Sequence, residues 1–272
     1  MSIEFEGGTA VITGSAGGIG LGMARACLSR GMQVVLSDLA EDRLADTVRS
    51  LSAEGAQVAA LAADVRNPAD LDELRKLALS QFGRVDLVCN NAGVGFTKPL
   101  IQCEAADWQI VLDVNVRGVA NGIHAFLPFM LEQDSGHISA TASLSGLIGD
   151  PDLGVYNASK FAVVGLMEGL AHDVLGTGVS ASVLCPGPVA TDLIHTSADQ
   201  TGVGANPDVH EYLNRGLHPD DVGEFAIRGI AEGRHWLFPH QELTRHLMRS
   251  RTEAMLDGGR LYVDPVEWTG QS

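Results

Sequence analysis

The chain has 272 residues, 45% of them hydrophobic and 5% aromatic, which is enough for one large domain with a substantial core. Its 34 Asp and Glu against 18 Lys and Arg give a formal net charge of −16. With no basic run to offset that charge, the sequence argues against nucleic acid or an anionic membrane as partner. The cysteines Cys27, Cys89, Cys103 and Cys185 form no CxxC. No basic-then-apolar leader opens the chain, and no window of about 18 residues is apolar without charge. The expectation is a cytoplasmic protein with reduced thiols and no transmembrane helix.

In chain order, TAVIT (9–13) is an apolar run that predicts a strand, followed by a helical pattern to about Leu28. QVVLS (33–37) precedes a helix from about Asp42 to Leu51, and QVAALAA (57–63) precedes one that begins near Pro68, with proline in the first turn. DLVCN (86–90) predicts a strand and about 107–131 one long helix. HISAT (137–141), a helix over about 153–175 and SASVLC (180–185) follow. The strands are apolar on consecutive positions, as strands buried on both faces are. The expected fold class is α/β, a Rossmann-like doubly wound parallel sheet in a single domain, with its core at about 5–240. WLF (236–238) is the candidate last strand, and 240–272 reads as a C-terminal extension that starts with a charged helical run, about 240–256. Asp257-Gly258-Gly259 behind that run is read as a coincidental turn motif. Between 195 and 218 the periodicity fails in a stretch rich in Gly, Asn, Asp and Pro. A connection of that length is functional or a surface insertion, and its place after a strand predicts a substrate lid.

TGSAGGIG (13–20) joins the first strand to the first helix. Gly14, Gly18 and Gly20, with Ser15 and Ile19 between them, would let a diphosphate approach the helix N-terminus without obstruction. Asp38 ends the second strand, where a carboxylate accepts from both adenosine ribose hydroxyls and repels a 2′-phosphate. No Arg or Lys stands at 15–18 or 39–40, so NAD is favoured over NADP. Asp38 can alternatively cap the next helix. Asp64, followed by Val65, can accept from the adenine amino group or simply close a strand-end turn. In NNAG (90–93), small residues would let the chain pass close to a cofactor. In GVYNASKF (154–161), Tyr156 and Lys160 share a helix face at i and i+4.

These motifs in this order resemble the short-chain dehydrogenase/reductase family. They are TGSAGGIG, the Asp64 and Val65 pair, NNAG, the asparagine of DVNVRG (113–118), a serine before the tyrosine, YNASK, and PGPVAT (186–191). The resemblance covers about residues 5–240. It implies Tyr156 as general acid/base and Lys160 lowering its pKa while holding the nicotinamide ribose. It also implies Ser143 on the substrate oxygen and Asn115 positioning a water that relays protons to Lys160. Asn91 and Gly93 would lie along the cofactor, and Thr191 and the backbone of Val189 at the nicotinamide amide. Two departures are visible: Ala140 stands where the family often has asparagine, and Asp257-Gly258-Gly259 follows a charged helical run where many members have that turn after a strand; the tail resembles members that act on bulky aryl or other hydrophobic secondary alcohols. The resemblance also implies a homo-oligomer, a tetramer or dimer packed through the 107–131 and 153–175 helices.

The expected activity is NAD-dependent interconversion of a hydrophobic secondary alcohol and its ketone. By position, Val94, Gly95, Phe96, Ser145, Leu147, Leu153, Pro188, Leu193 and Ile194 would shape an uncharged pocket. Rival readings are an NADPH-dependent carbonyl reductase, a non-catalytic NAD-sensing regulator on the same fold, and a lyase or epimerase that uses NAD transiently. Nine histidines show no HxxxH or HExxH spacing, so surface histidines and no metal site are expected.

Overall fold

In the computed structural model, which describes residues 3–204 and 207–258, the apolar runs form β1 (Thr9–Thr13), β2 (Gln33–Asp38), β3 (Val58–Ala62), β4 (Leu87–Asn90), β5 (Gly136–Thr141), β6 (Val179–Leu184) and β7 (Trp236–Leu237). They make one parallel sheet in the order β3-β2-β1-β4-β5-β6-β7. The chain winds outward from β1 to β3, returns to lay β4 against the other side of β1, and winds outward again. Parallel neighbours need crossovers, and helices supply them on both faces. They are α1 (Gly18–Leu28), α2 (Glu41–Ala53), α3 (Pro68–Phe82), α4 (Ala105–Leu112), α5 (Gly118–Gln133), α6 (Gly154–Asp173), α7 (Leu193–Thr201), α8 (Pro207–Asn214), α9 (Pro219–Ala231) and α10 (Gln241–Leu256).

Every residue of β1 and β4 is buried, which is why those runs carry no alternation. Two core clusters result. One holds Val11, Val88, Phe126, Ile138 and Met167 beneath α3, α5 and α6, and the other holds Ile12, Met23, Leu36 and Ile227 beneath α1 and α9. Small residues let α1 and α9 touch: a Cβ on Gly223 would lie 2.2 Å from the Gly22 carbonyl carbon. The Arg25–Asp220 and Arg30–Glu224 ion pairs flank that contact at its exposed edge.

Three sequence expectations are corrected. The single helix over 107–131 is α4 and α5 separated by a π-helical turn, Asp113–Arg117. Such turns carry one extra residue that hydropathy spacing does not register. The 195–218 stretch is not irregular, since α7 and α8 fall within or across it. Its hydroxyls bond back to their own helix, Thr196 Oγ1 to Asp192 O at 3.1 Å and Thr201 Oγ1 to Ser197 O at 2.9 Å, so loop-type residues sit inside α7. The histidines are not all on the surface: His137 is 2% exposed in β5, between the hydroxyls of Ser180 and Ser182 at 2.8 Å each. Burial pushes its pKa down to about 3, so it stays neutral.

β7 and the charged α10 fall where expected. Positions 205 and 206 of the predicted lid, Gly259, and residues 259–272 of the predicted extension lie outside the described residues. Among the described residues, no helix is long and apolar enough to cross a membrane. No group of three His, Cys, Asp or Glu there is placed to hold a metal. The four cysteines are unpaired thiols.

Candidate active site

Strand order reverses between β1 and β4, and a crevice opens at the carboxyl ends of both. A cavity of about 810 Å³ lies there, and both the glycine turn and the Tyr156–Lys160 pair line it. Gly14 and Gly18 take φ of 63° and 56°, a left-handed backbone that other residues adopt at a penalty. A Cβ on Gly14 would also stand 2.8 Å from Ala92 Cα. Gly20 does not line the cavity. Its missing Cβ, which would fall 2.3 Å from Gly14 O, lets α1 start directly against the turn. Ile19 lines the cavity, whereas Ser15 turns away from it: its hydroxyl donates to Ile12 O at 2.9 Å and accepts from Ser37 N at 3.0 Å. Ser15 thus ties β1 to β2, and what it offers a ligand at this turn is main chain.

Asp38 faces the same end. Its Oδ2 accepts from Ala16 N and its Oδ1 from Ala40 N, both at 3.1 Å. The carboxylate therefore braces the glycine turn, and Ala40, not Asp38, holds the cap position of α2. A cation stands nearby that sequence reading missed. Arg43, from the first turn of α2, lines the cavity and brings Nη2 to 2.9 Å from where a Cβ on Gly17 would be. Its distance in sequence from the glycine turn hides it; only the α2 geometry brings it back. Asp64 is occupied: Arg66 Nε donates to both carboxylate oxygens at 2.9 Å and Nη2 to Oδ2 at 2.5 Å. That hydrogen bonding holds the Asp64 carboxyl below its ordinary value. The strand-end-turn reading of Asp64 describes this geometry, with the backbone of Val65 pinned by Asn121 Nδ2 at 2.8 Å.

Beyond β4, Asn91 clips three strands together. Its Nδ2 donates to Thr13 O at 3.1 Å and Gly14 O at 3.0 Å, and its Oδ1 accepts from Thr141 Oγ1 at 3.0 Å. A Cβ on Gly93 would sit 3.1 Å from Asn115 Oδ1 and 3.5 Å from Lys160 Nζ, so the cavity floor is bare backbone here. Asn115, 1% exposed in the π-helical turn, accepts from Val94 N at 2.8 Å and donates to Val94 O at 3.0 Å and Ser159 Oγ at 3.1 Å. Those bonds employ both ends of its side-chain amide.

Ser143 ends the loop after β5, and its Oγ accepts from Ser145 N at 3.1 Å. Its hydroxyl also hydrogen-bonds the phenol of Tyr156. Lys160 is 5% exposed, donates from Nζ to Thr141 O at 2.9 Å, and lies 5.6 Å from the Tyr156 ring centroid. Burial pushes Lys160 down to about 8 and Tyr156 up to about 12. The Ser143 hydrogen bond pulls Tyr156 the other way, and the Asp150 carboxylate adds to the rise. In the chain by itself burial outweighs the Ser143 hydrogen bond at Tyr156. Across the cavity, Val189 bridges to Leu217, and a Cβ on Gly18 would come within 3.4 Å of Thr191 Cγ2. Leu147, expected in the pocket, packs in the core at 7% exposure and is not among the lining residues.

A glycine turn at the switch point of a doubly wound sheet, opposite a half-buried tyrosine backed by a buried lysine, defines a dinucleotide-dependent oxidoreductase. The chain belongs to the short chain dehydrogenase family, whose model matches residues 8–202. It is 39% identical over 251 residues to 1-deoxy-11-beta-hydroxypentalenate dehydrogenase of Streptomyces avermitilis, covering 90% of this chain and 89% of that one. Its fold is similar to a short chain dehydrogenase/reductase of Burkholderia phymatum solved in complex with NAD. That structure has a TM-score of 0.88 and 38% identity, over 96% of this chain and 98% of the other. It is also similar to an alcohol dehydrogenase of Thermococcus sibiricus complexed with 5-hydroxy-NADP, with a TM-score of 0.72 and 27% identity, over 85% and 95% of the two chains.

Proposed function

We propose that this oxidoreductase uses NAD to interconvert a hydrophobic secondary alcohol and its ketone, with Tyr156 as general acid/base. The observation that carries this reading is the Tyr156 phenol at the cavity wall, hydrogen-bonded to Ser143, with Lys160 on the same helix behind it. The floor at Gly14, Gly18 and Gly93, which line the cavity with main chain and no side chain, fits the close approach of a dinucleotide. The chain would hold it through the α1 N-terminus beside Gly18 and Ile19, through Asp38 at the ribose, and through Asn91, Gly93, Lys160, Val189 and Thr191 at the other end. When bound, NAD would supply the hydride acceptor for the carbinol carbon and, in its reduced form, the hydride donor for the ketone. In oxidation the alcohol oxygen gives its proton to the Tyr156 oxygen as the carbonyl forms. In reduction the Tyr156 hydroxyl returns that proton to the carbonyl oxygen. Ser143 donates to the same oxygen and offsets its developing negative charge. Lys160 brings positive charge under Tyr156, and the cationic nicotinamide ring adds to it.

NADP use is the second reading, and Arg43 beside the glycine turn is the observation that favours it. Helices α7 and α8 act as the substrate lid in this account. Ser197 in α7 accepts from Gly95 N at 2.8 Å, which anchors the lid to the loop after β4. The exposed apolar groove of Ala120, Ile123, Leu127 and Leu166 on α5 and α6 supports a homo-oligomer through those helices. The test is a panel of aryl, alicyclic and sugar secondary alcohols with NAD⁺ or NADP⁺, read by the absorbance of the reduced nicotinamide. Turnover with NAD⁺ and the apolar alcohols is expected. Binding of NAD without any turnover would leave the non-catalytic rival standing.

A further inference from the structure

From sequence the substrate end of the cavity reads as apolar and uncharged, and Val94, Phe96, Leu153, Leu193 and Ile194 do line it. Asp150 lines it too. It stands in the loop that leads into α6, where Asn157 Nδ2 donates to its main-chain carbonyl at 2.9 Å and fixes the loop to the helix. Ser145 Oγ donates to Asp150 Oδ2 at 2.5 Å, while the Ser145 N–H donates to Ser143 Oγ at 3.1 Å. One residue therefore holds both the carboxyl and the hydroxyl beside Tyr156. Oδ1 takes no hydrogen bond from any described residue. Asp150 also acts electrostatically on two phenols, Tyr156 and, from the lid, Tyr212, and raises the pKa of both. Burial raises the pKa of Asp150 itself.

The cations among the cavity-lining residues are Arg43, at the glycine turn, and Lys160, behind Tyr156. The lid side adds Asp199 and Asp208. Among the described residues nothing cationic at that end would receive a carboxylate or phosphate, and one carboxylate oxygen there takes no hydrogen bond from them. We infer that Asp150 is a specificity residue: it accepts a hydrogen bond from a second donor on the substrate, a hydroxyl or ammonium on the carbon next to the carbinol, and turns away substrates with an anion at that place. The inference rests on the alcohol dehydrogenase reading above.

The test uses the full chain and four phenyl carbinols that differ only in the neighbouring group: methyl, hydroxymethyl, ammoniomethyl or carboxylate, the last being mandelate. Each is measured with NAD⁺ as kcat/KM, and as a calorimetric Kd on the NAD⁺-loaded protein. The wild type is expected to favour hydroxymethyl and ammoniomethyl over methyl by about 10- to 100-fold, with mandelate last. Asp150→Asn keeps an acceptor and the shape, so it should retain the hydroxymethyl preference, lose the ammonium preference and admit mandelate. Asp150→Leu should flatten the hydroxymethyl preference as well. The same ratios in wild type and both variants would overturn the assignment. The Kd values order the four compounds whether or not they are oxidised, so binding in the expected order without NADH formation would count against the dehydrogenase reading and not against Asp150.

Discussion

Replacing Lys160 by Met should make the protein more stable at neutral pH while disabling it. Burial pulls Lys160 from the ordinary lysine value of 10.5 to about 8. A depression of that size means the folded state holds the ammonium at a penalty of about 3 kcal/mol relative to the unfolded chain. Methionine removes the penalty and keeps a long apolar stem, but it forfeits the 2.9 Å bond to Thr141 O. Leaving that carbonyl unpaired costs about 1 kcal/mol, so the variant should gain about 2 kcal/mol, or several degrees in melting temperature. The sign fixes the pH window. Below pH 8 both states carry the proton and the penalty is complete. Between about 8 and 10.5 the unfolded chain binds more protons than the folded one, so wild-type stability rises with pH. The advantage of Lys160→Met should therefore shrink steadily across that window. Calorimetric melts of both proteins at neutral pH and again near pH 10 measure it. A variant less stable than wild type at neutral pH, or an advantage that does not change with pH, would refute the reasoning.

Three further outcomes follow from the same geometry. Asp38→Asn removes the charge at the ribose end while Arg43 stays, so the NADP to NAD affinity ratio, measured by calorimetry, should move toward NADP by about tenfold or more. Asn115→Ala strands the Val94 N–H and C=O and removes the donor to Ser159 Oγ, which keeps its own bond to Tyr156 O, and denaturant unfolding should show a loss of about 2–4 kcal/mol. Gly14→Ala combines φ of 63° with a Cβ 2.8 Å from backbone, so it should lose at least about 2 kcal/mol and bind NAD poorly.

Much of this was legible in the chain because the central strands, β1 and β4 above all, are buried on both faces and so read as short continuous apolar runs. The glycine turn, Asp38 and the Tyr156–Lys160 pair were legible because each acts from one short segment, at a strand end or on a single helix turn. What sequence could not reach depends on segments meeting. Arg43 returns to the glycine turn only once α2 is laid beside it. Asp64 is held by Arg66, a partner that spacing alone does not single out. The π-helical turn is one extra residue in an otherwise helical run, and it is what brings Asn115 onto Val94. α7 was hidden because its Ser and Thr satisfy themselves on their own helix. Two residues on a helix show charge but not depth, so the burial that raises the Tyr156 pKa, set by the whole pocket, was out of reach as well.

The central claim is that Tyr156 moves the proton. Tyr156→Phe removes one oxygen from a half-buried ring and leaves the glycine turn, Asp38 and Lys160 in place. The direct measurement is NAD affinity and alcohol oxidation on this variant beside wild type. The account predicts an unchanged Kd for NAD and turnover lower by about 10²- to 10⁴-fold. Turnover within about twofold of wild type would contradict it.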